Sequence, residues 1–166
     1  AYSEMTIPSG PAFVTEHLKR LQAAGIQPHF MLGDAGQLET VERLIRRGNY
    51  TGPLVLNWVG IGGGADGPNP YNMMEFVRRV PAGAVLTIEA FMRNVLPLGT
   101  MAIAMGLHVR VGIEDNLWGR KGERITSVRQ VEQMVRISRE LYREVASGEQ
   151  AKAIYQIGTH YRTADE

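Results

Sequence analysis

Positions Phe13, Val14, His17, Leu18 and Leu21 fall on one face at helical spacing, and Gly25 supplies a C-terminal stop. A short apolar strand is predicted over residues 29–32. A second amphipathic stripe, Leu38, Val41, Leu44 and Ile45, ends at Gly48. Residues 54–59 are apolar on both faces except at Asn57, the composition of a strand in a parallel sheet covered on both sides. After a glycine-rich loop comes a short helix, with Asn69 as cap and Pro70 at its first position. A strand over 84–88, a helix over 97–105 and a last strand over 107–111 follow. Ser127 and Gln130 read as a capping box, opening a helix that buries Val128, Val131, Met134, Val135, Leu141, Tyr142 and Val145. Residues 147–166 read as a short helix and a loose tail.

The order is one helix and then four strand–helix units, a single α/β domain over residues 1–166. Such alternation calls for parallel strands joined by right-handed crossovers. Two architectures satisfy it, a doubly wound open sheet and part of an eight-stranded barrel. A complete barrel takes about 250 residues, so 166 residues cannot close one alone.

Composition narrows the function classes. The apolar share of 44% and charged share of 21% are those of an ordinary soluble protein. A net charge of +1, with basic residues scattered among acids, provides no broad field for nucleic acid. The absence of cysteine removes disulfides, thiolate metal ligands and a cysteine nucleophile, and fits a reducing compartment. No signal-peptide pattern stands at residues 1–6, and no apolar run approaches the roughly 20 residues of a membrane span. The expectation is a soluble, cytoplasmic protein with no membrane or nucleic-acid partner.

Several strands end in a polar residue: Asp34 after the first, Asn57 late in the second, Glu89 after the third, and Glu114 and Asp115 after the fourth. Ligands of barrels and open α/β sheets sit at these C-terminal strand ends. Any one such acid can equally cap a turn; several together point to a site. The densest cluster is Arg110, Glu114, Asp115 and Asn116. It reads either as a structural Arg–Asp pair or as a site in which one carboxylate holds a divalent metal and the other takes a proton.

Gly62, Gly64 and Gly67 fit a dinucleotide G-x-G-x-x-G, with Glu89 as the following acid. Pro68 and Pro70 interrupt the helix that such a motif should open, which favours a flexible active-site loop. His17, His29, His108 and His160 are isolated; His17 reads as a core edge, and His108 shares a strand face with Arg110. Met73, Met74 and Phe76 read as core packing.

The run Gly106-Leu-His-Val-Arg-Val-Gly-Ile-Glu-Asp-Asn116 resembles the last-strand motif of the β-keto acid cleavage enzymes, the family of 3-keto-5-aminohexanoate cleavage enzyme. Gly25-Ile-Gln-Pro28 resembles the family's turn before its fifth strand, and Asp34-Ala-Gly36 its Asp-x-Gly after that strand. Leu96-Pro-Leu and Met101-Ala-Ile-Ala-Met-Gly106 match the helix before the last strand, and residues 131–146 the helix after it. The resemblance implies the C-terminal half of a (β/α)8 barrel, working as a zinc-dependent enzyme in a Claisen-type exchange. A β-keto acid reacts with acetyl-CoA to give acetoacetate and a new acyl-CoA. By motif position Glu114 is the carboxylate zinc ligand, Asp115 the catalytic acid/base and Arg110 the arginine that supports it.

The departures are as specific. The family's zinc also takes a His-x-His pair from an early strand, and no such pair occurs here. Relatives carry acids on the fifth strand where this chain has His29 and Met31, and glycine where it has Met92, before the matching Arg93. The expectation is thus a partial chain, inactive alone, that meets an N-terminal half-barrel bearing two histidines and forms a homo-oligomer. The alternatives are a catalytically silent half-barrel interaction module and a nucleotide-binding domain using Gly62 to Gly67.

Overall fold

The computed structural model describes residues 10–159, so His160 and the last residues of the expected tail lie outside it. Helix α1 (Pro11–Ala23) leads into β1 (Phe30–Leu32), α2 (Ala35–Arg46), β2 (Val55–Gly60), α3 (Pro70–Arg79) and β3 (Val85–Ala90). A 3-10 turn (Met92–Asn94) then precedes α4 (Val95–Ala104), β4 (His108–Val109), α5 (Ser127–Glu140) and α6 (Gly148–Tyr155). All strand pairs are parallel, and the sheet order is β1-β2-β3-β4.

That order decides between the two architectures. A doubly wound sheet reverses its strand order at a switch point; this sheet runs in chain order throughout. Leu38 and Val41 of α2, Met73 and Phe76 of α3, and Leu98 and Ala102 of α4 all join one apolar cluster with Leu56, Trp58, Leu86 and Ile88. The helices therefore cover one face, as in a barrel wall. Trp58, Phe76, Leu56 and Ile88 are fully buried there, each contributing about 1.5–3 kcal/mol of hydrophobic stabilisation. The fold is half of a β/α barrel, with four parallel β/α units.

The opposite face is the concave inner one. Strand alternation sends Met31, Asn57, Thr87 and His108 to it in register, and Val59 and Glu89 one step further along. Tyr155 of α6 reaches this face as well: its hydroxyl lies 3.1 Å from Thr87 Oγ1, and its ring lies 5.9 Å from that of His29 and 5.6 Å from that of His108. No helix among the described residues is long and apolar enough to cross a membrane.

Several local expectations are corrected. The cap of α5 is Thr126, whose side chain accepts from Arg129 N–H, while Ser127 Oγ accepts from Ile113 N–H at 3.1 Å. The capping box belongs instead to Ser147 and Gln150 at α6. Helix α5 ends at Glu140 and buries Gln130 and Met134; Val128, Val131, Leu141, Tyr142 and Val145 are exposed. This helix lies at the end of the sheet, beside β4, whose outer edge has no strand partner among the described residues. Phe13 and Met74 are exposed too, and His17 stacks on Phe13 at the surface.

Candidate active site

Arg110 follows β4 directly, and its N–H donates to Ile88 O at 3.0 Å, so the ladder holds its backbone against β3. Its guanidinium is shared among three carboxylates. Nη1 donates to Glu89 Oε2 at 2.8 Å, Nη2 donates to Glu114 Oε1 at 2.7 Å, and Nε lies 3.8 Å from Asp115 Oδ2. Glu89 also accepts from Asn57 Nδ2 on the neighbouring strand. Expected just after the third strand, Glu89 lies inside it and is 1% exposed. Burial of such a carboxylate is tolerable only with charged and hydrogen-bonding partners, which Arg110 and Asn57 supply.

The structure thus brings together the expected Arg110, Glu114 and Asp115, and adds Glu89 and Asn57. Both additions were visible as polar breaks in apolar strands, but their partnership follows from strand register. Asp34 takes the other course open to a strand-end acid: its Oδ1 accepts from Gln37 N–H and caps α2. His108 lies on the same inner face and is directed at Tyr155; burial lowers its pKa, and the Arg143 charge adds to this.

The two adjacent acids have different environments. Asp115 is 3% exposed, and its Oδ2 has no hydrogen-bond partner. Burial pushes its carboxyl up to about 6; the Glu89 charge works in the same direction and Arg110 against it. The side chain of Glu114 is 60% exposed, and the hydrogen bond from Arg110 holds its pKa below the ordinary carboxylate value. The same bond raises the pKa of Arg110, which stays cationic. One carboxylate is therefore suited to carrying a proton near neutrality, the other to remaining an anion.

Glu114 also fits the part of a metal ligand. It is an accessible anion at the strand ends, and a Cβ on Gly112 would come within 2.5 Å of its Oε2, so this glycine leaves the room that the carboxylate occupies. Among the described residues no three His, Cys, Asp or Glu side chains converge to hold a metal. Zinc takes at least three protein ligands, more than these residues bring together.

Below the cluster, the concave face holds a cavity of about 430 Å3, lined in part by His29, Met31, Asn57, Thr87 and Arg110. The glycine loop does not open a helix: Gly62, Gly63 and Gly64 have positive φ, and α3 starts only at Pro70 with Asn69 as its cap. Asp66 ties the loop down, accepting from Trp58 Nε1 at 3.2 Å and donating its own N–H to Gly33 O at 2.7 Å. The dinucleotide alternative loses its basis, since the pyrophosphate needs the helix N-terminus at the loop.

The chain has relatives among known proteins. A 3-keto-5-aminohexanoate cleavage enzyme of Acetoanaerobium sticklandii is 33% identical over 135 residues, which cover 80% of this chain and 49% of that protein. The enzyme of the same name from Fusobacterium nucleatum is 31% identical over 141 residues, 84% of this chain and 51% of that protein. A 3-dehydrocarnitine:acetyl-CoA trimethylamine transferase of Rhizobium meliloti is 28% identical over 144 residues, 86% of this chain and 47% of that protein. The chain spans about half the length of these relatives. The family profile described as beta-keto acid cleavage enzyme matches residues 1–157, a span that includes the strand-end cluster: the chain belongs to the β-keto acid cleavage enzyme family.

Proposed function

We propose that this chain supplies the C-terminal half of a zinc-dependent enzyme that exchanges a β-keto acid with acetyl-CoA, giving acetoacetate and a new acyl-CoA. The observation that carries the reading is the buried Asp115, with an unclaimed oxygen and a pKa raised to about 6, beside Arg110 and the exposed Glu114. The name of the Rhizobium meliloti relative supports acetyl-CoA as co-substrate.

In this reading Asp115 is the acid/base. Its Oδ2 accepts a proton from the substrate and returns it, at a pKa suited to exchange near neutral pH. Arg110 keeps its charge and holds Asp115 in place, while Glu89 of β3, itself held by Asn57 of β2, anchors Arg110. Glu114 holds the zinc together with two histidines from outside this chain; when bound, the ion supplies the positive charge that polarises the keto oxygen.

The outer edges of β1 and β4 have no strand partners among the described residues, and Met31 is 55% exposed on the inner face. These features support completion of the barrel by an N-terminal half. A chain without cysteine suits the reducing cytoplasm.

The test is acetoacetate formation by the assembled protein from a panel of β-keto acids and acetyl-CoA, with Asp115→Asn as control. The expected result is turnover that falls roughly 10²- to 10⁴-fold in the variant. Absence of acetoacetate with every keto acid, or full activity in the variant, would overturn the assignment.

A further inference from the structure

We propose that the groove between α4 and α5 is the docking site for the nucleotide end of a CoA thioester, with phosphate groups on its arginines and the adenine against Trp118. This rests on the reading above, in which acetyl-CoA is the co-substrate.

The groove has a volume of about 920 Å3, within the range of small-molecule and cofactor sites. Arg93, Arg120, Arg124, Arg129 and Arg136 line it, against Glu123 and Glu132. In a chain whose net charge is +1, this is a local concentration of positive charge. Arg93, Arg120 and Arg136 make no ion pair with the described residues, so their guanidinium groups are free for an external anion. Guanidinium forks match phosphate oxygens in geometry as well as charge.

The place is also right. Arg93 stands after β3, and Trp118 to Arg124 form a small antiparallel turn after β4. With β1 in the fifth place of the barrel, these are the loops after its seventh and eighth strands, where β/α barrels recurrently bind phosphate. The groove reaches Asn116, the residue after Asp115. Asn116 clasps the backbone of Trp118 through both side-chain atoms, at 2.8 and 3.0 Å, and its carbonyl accepts from Gln130 Nε2 at 2.9 Å. A cofactor bound in the groove thus lies along the same loop that carries the acid/base.

Two further features point to an organic ligand. Trp118 is 39% exposed, with the Arg124 guanidinium carbon 5.4 Å from its ring centre, a flat cationic surface of the kind on which bases stack. Gln130 lines the groove at 2% exposure, and its Oε1 is buried without a partner. An unsatisfied buried acceptor is costly; an amide or amino N–H of the cofactor would satisfy it.

The experiment is calorimetric titration of the assembled protein with CoA, adenosine 3′,5′-bisphosphate, pantetheine and inorganic phosphate, repeated with Arg93→Ala, Arg120→Ala, Trp118→Ala and Trp118→Phe. All are surface substitutions, and a thermal melt of each variant confirms that it is folded. The proposal expects CoA and the bisphosphate to bind more tightly than phosphate or pantetheine. Each arginine variant should weaken CoA roughly 10-fold, and Trp118→Ala should weaken it while Trp118→Phe does not. CoA binding that stays within about 2-fold in every variant overturns the groove and leaves the exchange reaction standing. Inorganic phosphate binding as tightly as CoA reduces the groove to an anion site and overturns the nucleotide assignment. Failure of the wild-type protein to bind CoA at millimolar concentration removes both this proposal and the acetyl-CoA reading.

Discussion

Arg110, just past β4, and Glu89 of β3 are joined by a 2.8 Å hydrogen bond from Nη1 to Oε2, and Glu89 is the fully buried member of the pair. Arg110 meets Asp115 and Glu114 with its other nitrogens, so Glu89 sets the direction from which the guanidinium approaches these two acids. Glu89→Gln keeps the shape of this anchor and removes its charge. The expected outcome is a kcat lowered roughly 10- to 100-fold with the KM for the keto acid little changed, because misplacement rather than lost binding is the defect. Steady-state kinetics that match wild type would show that Glu89 serves stability alone.

The raised pKa of Asp115 has a signed consequence for stability. Its folded value, about 6, lies above the unfolded value near 3.9, so the folded chain holds the proton more tightly. The stabilisation is complete below about pH 4 and is lost as pH rises through about 6. In zinc-free protein, Asp115→Asn should therefore be more stable than wild type above pH 7, by on the order of 2 kcal/mol, with the gap closing towards pH 4. Denaturant melts at the two pH values check this; a gap independent of pH contradicts it.

Met92 has φ 56, in the left-handed region, and its N–H donates to Asp115 O at 2.8 Å. Its side chain is exposed, so little packing offsets the strain. Met92→Gly removes the steric cost at that φ and should stabilise the fold by about 1 kcal/mol, with the bond to Asp115 retained. A lower melting temperature in the variant would mean that the methionine side chain stabilises through contacts that outweigh the backbone strain.

Gly112→Ala places a methyl group 2.5 Å from Glu114 Oε2. The obstacle is the tip of a flexible, exposed side chain, so the fold should tolerate the change while Glu114 leaves its position. Zinc content of the assembled protein is expected to drop with little change in melting temperature. Undiminished zinc in this variant would show that Glu114 can hold the metal from another rotamer.

The legible part of the site was the local part. Arg110, Glu114 and Asp115 lie within one short strand-and-loop run, so chain proximity alone brings them together. The roles of Glu89 and Asn57 depend on the pairing of β2, β3 and β4, which periodicity does not specify. The strands and most helices were legible because their apolar faces pack on one another in the barrel wall. Helix α5 departs from its pattern: Val128 and Val131 follow a helical period yet lie exposed, and the chain leaves the helix before Leu141 and Tyr142. The basic groove was hidden for a similar reason. Its arginines are spread from Arg93 to Arg136 among acids that balance them in the sequence, and only the packing of α4 against α5 brings them to one surface.

Glu114 is proposed to lend one arm to a zinc centre completed from outside this chain. The direct measurement is elemental zinc analysis of the protein purified with whatever segment completes its barrel, for wild type and Glu114→Gln side by side. Roughly stoichiometric zinc in wild type, lost in the variant, is the expected result. Zinc absent from the assembled wild-type protein, or equally abundant in Glu114→Gln, would contradict the account.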